Sequence, residues 1–584
     1  MTKKWQLFET DEEKVEKYAN KFNLNKLLAT IIVNRNIKED EIETFLKPTR
    51  YNFHDPFLMP DMEKAVERII RAIKNKEKVI IYGDYDVDGI TSTTILKSFL
   101  KERGLDVGEY IPNRLEEGYG LNKNAVDKIV SEKYTLMITV DCGITANEEI
   151  EYAKQFSLET IVTDHHEPGE KIPNILAVID CKRKDNSYPF RELAGCGVAF
   201  KLCQAISKKL NLDDKEYLKY LDIACIGTIS DIVPLVDENR TIAKLGLMLV
   251  NQTKNIGLKS IINSSGYKNI NSETISFGIA PRINACGRMG HALDALDLFM
   301  EKNVYEVNAL TNKLNEYNKI RQDIEKNIYS EALKQIEEEN LDKNNTIVVS
   351  GNNWHHGVIG IVSSKITEKY FKPSILLSND DGLLVGSGRS IPGFDLHNAL
   401  MKCMDTIEKF GGHAMAIGVT LKKENLNKFK EELEEEAKEQ NTDKIEPIIN
   451  IDSKIDLSKI DKEMVKSLKL LEPFGEGNKI PNFLFKNLKI VSIRTLSEGK
   501  HLKMSLQDNN ILIDAIGFNL GNLIDDYLIG NKIDVVGTLE INNFNGIDSI
   551  QINVKDMMKS LWLGSEIYER GKRRRKYYYT RCNK

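Results

Sequence analysis

From Asp61 to about Val250, short β-branched apolar runs alternate with amphipathic stretches of helical period, a pattern that predicts a parallel α/β sheet. The runs are Val79–Tyr82, Leu136–Val140, Thr160–Thr163 and Ala177–Ile179. Three of them end on polar residues: Asp84, Asp86 and Asp88 after the first, Asp141 after the second, and Asp164, His165 and His166 after the third. In open α/β sheets the carboxyl edge of the strands is where sites are built. After Gly89 a helical run is expected from Ile90 to Leu100. Between about Ala292 and Asn340 the pattern lengthens, with Val307, Leu310, Leu314, Tyr317, Ile324, Ile328 and Ile336 marking one face of a long helix. Such a helix is expected to hold two lobes apart.

A second α/β unit opens at Thr346 and closes near Gln440, with glycine-rich stretches at Gly386–Ser390 and Phe410–Ala414. From Pro447 onward, short alternating strands (HLKMSL, ILIDAIGF, KIDVVGTLEI) predict a small β-barrel of the OB type, a fold that often binds single strands. Residues 1 to about 60 carry short helical patterns and no assignable chemistry. The tail Arg570–Arg581 (RGKRRRKYYYTR) is basic and aromatic, which suits a nucleic-acid contact or a solvated end alike.

A length of 584 residues exceeds what one core supports and predicts about three or four domains. The first residues, MTKKWQLFETDEEK, lack the apolar core of a leader, and no apolar run is long enough to span a bilayer. A cytoplasmic protein without membrane contact is expected. Eight cysteines without a C-x-x-C pair suit buried thiols better than a disulfide framework or a zinc ribbon. The net charge of −5 decides nothing about nucleic acid, because local basic patches carry phosphate contacts.

Three carboxylates as close as Asp84, Asp86 and Asp88 repel one another unless a cation sits among them. A solvated turn or a calcium loop also spaces Asp by two, although the Glu of an EF-hand is out of place here. Asp86, Asp88, Asp141, His165 and Asp231 (from ACIGTISDIVPL) sort into one constellation. Four carboxylates and an imidazole suffice for two metal ions sharing a carboxylate, and the mixed donors favour Mn²⁺ or Mg²⁺ over structural zinc. Any one of these residues taken singly is as readily a helix cap or a satisfied polar group. Their arrival at one sheet edge is what points to metal chemistry. A phosphate anchor calls for arginine, whose fork matches phosphate oxygens. Arg389 with Ser387 on the GSGRS turn is the leading candidate, followed by Arg114, Arg282, Arg288 and His413. Tyr119 and Trp354 offer rings for base stacking, with core packing the equal alternative for Trp354.

DYDVDG, PNRLEEGYGLN (Pro112–Asn122), the Asp of ITVDCGI, DHH and GTISD closely resemble, in this order, the motifs of the DHH phosphoesterase superfamily. WHHGVIGIV, GSGRS and FGGHA resemble its DHH-associated domain. RINACGRMG (Arg282–Gly290) and LEPFGEGN (Leu471–Asn478) are similar to its bacterial single-strand-specific exonucleases. The resemblance runs from about residue 60 to 560. It implies an α/β chain in which a parallel-sheet DHH domain (61–290) is joined by a connector helix region (291–342) to the DHH-associated domain (343–444). An OB-like domain (445–560) and the basic tail (561–584) follow, and residues 1–60 form an N-terminal extension.

The implied activity is hydrolysis of single-stranded DNA from the 5′ end with two divalent ions, releasing 5′-mononucleotides in repair and recombination. By resemblance, Asp86 and Asp141 hold one ion, and Asp88, Asp141, His165 and Asp231 the other, with Asp141 bridging. His166 acts as a transition-state or leaving-group partner. Tyr82 stands where many members of the superfamily carry a metal-binding His, which makes Asp84 a candidate extra ligand. A monomer is expected, with a single-stranded DNA-binding protein and a helicase as partners. Cleavage of RNA stays open, since no motif reads a 2′-hydroxyl. Two other readings stand beside this one. A DHH-family phosphodiesterase for short oligonucleotides or cyclic dinucleotides would need only the two lobes. A silent DNA-binding scaffold would show eroded ligands, whereas all five are present.

Overall fold

The computed structural model describes residues 3–560 apart from Leu115 and Asn545, and the basic tail at Arg570–Arg581 lies outside the described residues. The chain divides into two compact units, one of Pro48–Ile445 with Pro473–Asn478 and one of Met1–Lys47, Glu446–Glu472 and Lys479–Lys584.

The larger unit begins with a five-stranded parallel sheet in the order Asp106–Tyr110, Lys78–Gly83, Leu136–Val140, Glu159–Asp164, Ala177–Asp180. Three of the β-branched runs form its interior strands, covered on both faces, with Leu136–Val140 buried throughout, and the fourth run, in Ala177–Asp180, forms one edge. The edge strand Asp106–Tyr110 answers to none of those runs. It carries Asp106, Gly108 and Glu109, and only Val107 is buried. The chain leaves Lys78–Gly83 for one side of the sheet and returns to pair Leu136–Val140 on the other. That reversal opens a crevice at the carboxyl ends of these two strands.

The helix after the first strand begins at Val87 rather than Ile90. Asp86 is its N-cap, accepting hydrogen bonds from the backbone N–H of Asp88 (2.9 Å) and Gly89 (3.1 Å), so Asp88 lies in the first turn. Helices Val87–Lys101, Gly195–Lys209 and Leu221–Ser230 pack on one another around Ile90, Phe99, Phe200 and Ile226.

A helix of 35 residues, Val304–Glu338, spans roughly 50 Å at 1.5 Å per residue. Its apolar stripe is shared between two cores. Val307, Leu310, Leu314 and Tyr317 pack into the first lobe. Ile324, Ile328 and Ile336 pack into the second, with Val349, Val358 and Leu376. The second lobe is a mixed sheet in the order Lys409–His413, Ala416–Lys422, Leu383–Arg389, Ser374–Asp380, Ile347–Asn352, parallel only in the last pair.

In the smaller unit, Phe483–Leu496, His501–Asp508, Ile511–Gly517, Ile547–Lys559 and Lys532–Phe544 form a barrel that closes by pairing the first strand with the last. Lys4–Leu7 pairs in parallel with Ile448–Ile451. The expected fold class is therefore borne out: parallel-sheet lobe, long helix, second α/β lobe, OB-like barrel. Seven cysteines are buried free thiols, and among the described residues no helix is long and apolar enough to cross a membrane.

The helix Gly195–Lys209 is anchored by a fully buried ion pair, Lys201 to Glu238 at 2.8 Å, with the ammonium also donating to the His54 carbonyl. Removing one partner strands the other charge. Lys201→Met is expected to lower stability by about 3–5 kcal/mol in urea unfolding, with Lys201→Met/Glu238→Leu recovering most of the loss. A single variant as stable as the parent would show that the pair does not hold the helix.

Candidate metal and phosphate site

The strand ends deliver their acids to one place. His165 Nε2 lies 3.2 Å from Asp141 Oδ1, 3.6 Å from Asp231 Oδ2 and 3.8 Å from Asp88 Oδ2. Three groups have ligand atoms close enough to share an ion: Asp84, Asp86 and Asp141; Asp88, His165 and Asp231; and Asp141, His165 and His166. Asp141 belongs to two of them. Burial first, and then mutual repulsion, raises the carboxyl pKa values: Asp84 to about 8 beside Asp86, and Asp231 to about 9 beside Asp88 and Asp86. Asp86 and Asp141 are raised by the same two causes, while burial lowers His165.

Asp84 Oδ1, Asp141 Oδ1 and both ring nitrogens of His165 are buried without a hydrogen-bond partner. Orphaned oxygen and nitrogen donors among crowded acids fit a hard divalent cation.

Several residues that orient this set carry no obvious signal in the sequence. Asp88 accepts from the backbone N–H of Gly195 (2.6 Å) and Cys196 (2.9 Å), so the amino end of the helix Gly195–Lys209 fixes its carboxylate. A Cβ on Gly195 would sit 2.6 Å from Asp141 Oδ1, and one on Gly227 would sit 2.9 Å from Asp88 Oδ1. Only glycine lets these two helices approach the acids so closely. The available clue was the pair of glycines in AGCGVAF. Asn284 accepts from Val87 N–H at 3.2 Å. Asp164 is saturated by the backbone N–H groups of His165 and Ile144 and by the ring of His166, and so positions ligands rather than binding metal. Burial opposes charge on His166, but the 2.7 Å bond to Asp164 lifts its pKa to about 9.

A second crowd, of opposite sign, gathers beside the acids. Arg114 lies over the Tyr85 ring at 4.9 Å. Burial, then the charges of Arg114 and Arg321, pushes Arg288 below its ordinary value, and burial followed by Arg114 does the same to Arg389. Arg288 donates to the Gly357 carbonyl, and Arg389 donates to the Ser387 hydroxyl (3.0 Å) and the Gly388 carbonyl (2.8 Å). Tyr119 is half exposed; its hydroxyl donates to the Asp141 carbonyl at 3.3 Å, and its ring meets His166 edge-on.

Of the remaining sequence candidates, Trp354 and Arg282 are taken up by other partners. Trp354 is buried among Val349, Val358 and Leu376, and its indole N–H donates to Glu331 at 2.8 Å, which leaves no open ring face for a base. Arg282 is turned to the long helix, donating to Asn315 at 2.8 Å and to the Gly278 carbonyl. His413 is exposed at the end of the edge strand Lys409–His413.

Domain models match in chain order: the DHH family N-terminal domain at residues 78–228, the DHHA1 domain at 343–439 and the RecJ OB domain at 451–556. Fold and site thus define a chain of the DHH class, extended by a DHHA1 lobe and an OB barrel. It is 38% identical over 577 residues to the single-stranded-DNA-specific exonuclease RecJ of Bacillus subtilis, covering 98% of this chain and 72% of that relative. The crystal structure of RecJ from Thermus thermophilus in complex with Mn²⁺ matches with a TM-score of 0.83 at 29% identity, over 97% of this chain and 81% of that one. The Mg²⁺ complex matches at 0.76 and 27% identity, over 97% and 80%. The chain belongs to the RecJ family of single-stranded-DNA-specific exonucleases.

Carboxyl pKa values raised in the fold add stability that is complete below the unfolded value near 4 and is lost as pH climbs through the folded value. With a chelator present, the melting temperature is expected to fall between about pH 4 and pH 9, and saturating Mn²⁺ is expected to flatten the fall. A melting temperature indifferent to Mn²⁺ at the upper pH would sink the metal assignment.

Proposed function

We propose that this chain degrades single-stranded DNA from the 5′ end, hydrolysing phosphodiester bonds and releasing 5′-mononucleotides. The observation that carries this reading is the pair of unneutralised crowds: buried acids that call for divalent cations, and beside them arginines that call for an anion. A phosphate bridging the two satisfies both. In this reading Asp84, Asp86 and Asp141 hold one cation, and Asp88, Asp141, His165 and Asp231 hold a second. Mn²⁺ or Mg²⁺ bound there supplies Lewis acidity to the phosphate and makes water a nucleophile near neutral pH.

The protein's own residues supply the geometry. The helix amino end holds Asp88 in place, and Asp164 fixes the ring of His166 and the backbone of His165. His166, cationic through its bond to Asp164, faces charge that develops on the leaving oxygen. Arg389, steadied by Ser387, grips the terminal phosphate with Arg114 and Arg288, and Tyr119 offers its half-exposed ring to a base. The OB barrel supports an extended single strand as substrate over a dinucleotide. Family resemblance extends the proposal to a cytoplasmic monomer in DNA repair and recombination, working with a single-stranded DNA-binding protein and a helicase.

With Mn²⁺ and 5′-phosphorylated DNA, early release of mononucleotide from the 5′ end of a long single strand, and none from its blunt duplex, is the expected result. Rapid hydrolysis of dinucleotides with both long substrates intact would assign the chain to the small-substrate branch. Arg389→Ala is expected to cost about tenfold or more in kcat/KM on 5′-phosphorylated strands and much less on 5′-hydroxyl strands. Equal losses on the two would remove Arg389 as the anchor.

A further inference from the structure

Ile232 follows Asp231 directly and has φ +62°. Among the described residues it is the one β-branched side chain in the left-handed region, where branching at Cβ is least tolerated. Asp141 also has a positive φ, +60°, but aspartate visits that region readily. The chain is fixed on both sides of the strained residue. Asp231 N–H donates to the Gly227 carbonyl at 2.9 Å as the helix ends. Pro234 follows, and Leu235 N–H donates to the Glu476 carbonyl at 2.8 Å.

A turn alone would be better served by glycine or asparagine. Nor does the side chain repay the strain by packing, since Ile232 is 71% exposed. Exposure rises steadily from the floor of the site to this point: the side chains of Asp88, Asp141, His165 and Asp231 are 1%, 3%, 8% and 24% exposed. Ile232 is therefore an apolar group held rigidly at the rim, one residue from a carboxylate of the metal cluster. Strain that neither the turn nor the core requires points to a use for the side chain itself.

We propose that Ile232 contacts substrate, packing on the face of the nucleobase attached to the scissile phosphate and so fixing how that nucleotide enters the site. This rests on the nuclease reading above. Phosphate and metal contacts place the backbone of a strand but leave the base free to swing, and a stiff branched side chain at the rim removes that freedom without reading sequence.

The test compares the parent protein and Ile232→Gly on two 5′-phosphorylated single strands, one ordinary and one abasic at its first two nucleotides. Melting temperature and Mn²⁺ affinity of Ile232→Gly are expected to match or exceed those of the parent, because glycine relieves the turn. On the ordinary strand kcat/KM should drop about tenfold, the scale of one lost aliphatic contact, while on the abasic strand parent and variant should be equal. Equal loss on both strands, or weakened Mn²⁺ binding, would overturn the proposal and assign Ile232 to the placement of Asp231 or to a sugar contact. If the parent cleaves neither strand, the nuclease reading fails. Anisotropy with the same two strands then still tests Ile232, through weakened binding confined to the base-bearing one, and no difference between parent and variant would overturn it.

Discussion

Buried like charge governs this structure. Five carboxyl groups, those of Asp84, Asp86, Asp88, Asp141 and Asp231, share one largely water-free site with His165 and repel one another. Left to themselves they take up protons, and the raised values of Asp84 and Asp231 record that tendency. A divalent cation is the one agent that lets all of them ionise together. The surroundings are built so that they cannot escape the conflict by moving. The amino end of the helix Gly195–Lys209 holds Asp88, Asp164 holds the ring of His166 and the backbone of His165, and glycines bring two helices against the acids.

The arginines repeat the same logic with the sign reversed. Burial first, and then the charge of Arg114, lowers the proton affinity of both Arg288 and Arg389, with Arg321 adding to the effect on Arg288. In the proposed reading, each crowd is costly alone and favourable once a phosphate and its cations lie between them. On that reading the energy of neutralisation would be released only when substrate is bound, concentrating binding where the reaction takes place.

Much of this was legible in the sequence, for a physical reason. An acid placed immediately after a β-branched run has its position set by the strand, so knowing the strands meant knowing the edge. Spacing alone sets the start of the first helix three residues late, because Asp86 acts as a cap while standing among the acids, a double role that spacing does not reveal. The strand Asp106–Tyr110 has no apolar run to mark it, because an edge strand exposed on one side does not require one. The pairing of Lys4–Leu7 with Ile448–Ile451 joins distant parts of the chain and has no local signature. Tyr119 and Trp354 looked alike as aromatic candidates, and burial alone separates them. The backbone angle of Ile232 is imposed by contacts on either side and is invisible in its residue type.

The long helix acts as a gauge of phase. Its first half is bonded to one lobe through Asn315 and Lys313, and its second half to the other through Glu331 and Gln335. Each residue of an α-helix adds about 100° of rotation and 1.5 Å of rise. A single residue inserted between Tyr317 and Ile324 would therefore swing Arg389, the arginine of the second lobe, away from the acids, while leaving the strands of both lobes intact. Two whole turns would restore the angle but open a gap of roughly 10 Å. The segment between the lobes can thus change its exposed side chains freely and its length hardly at all.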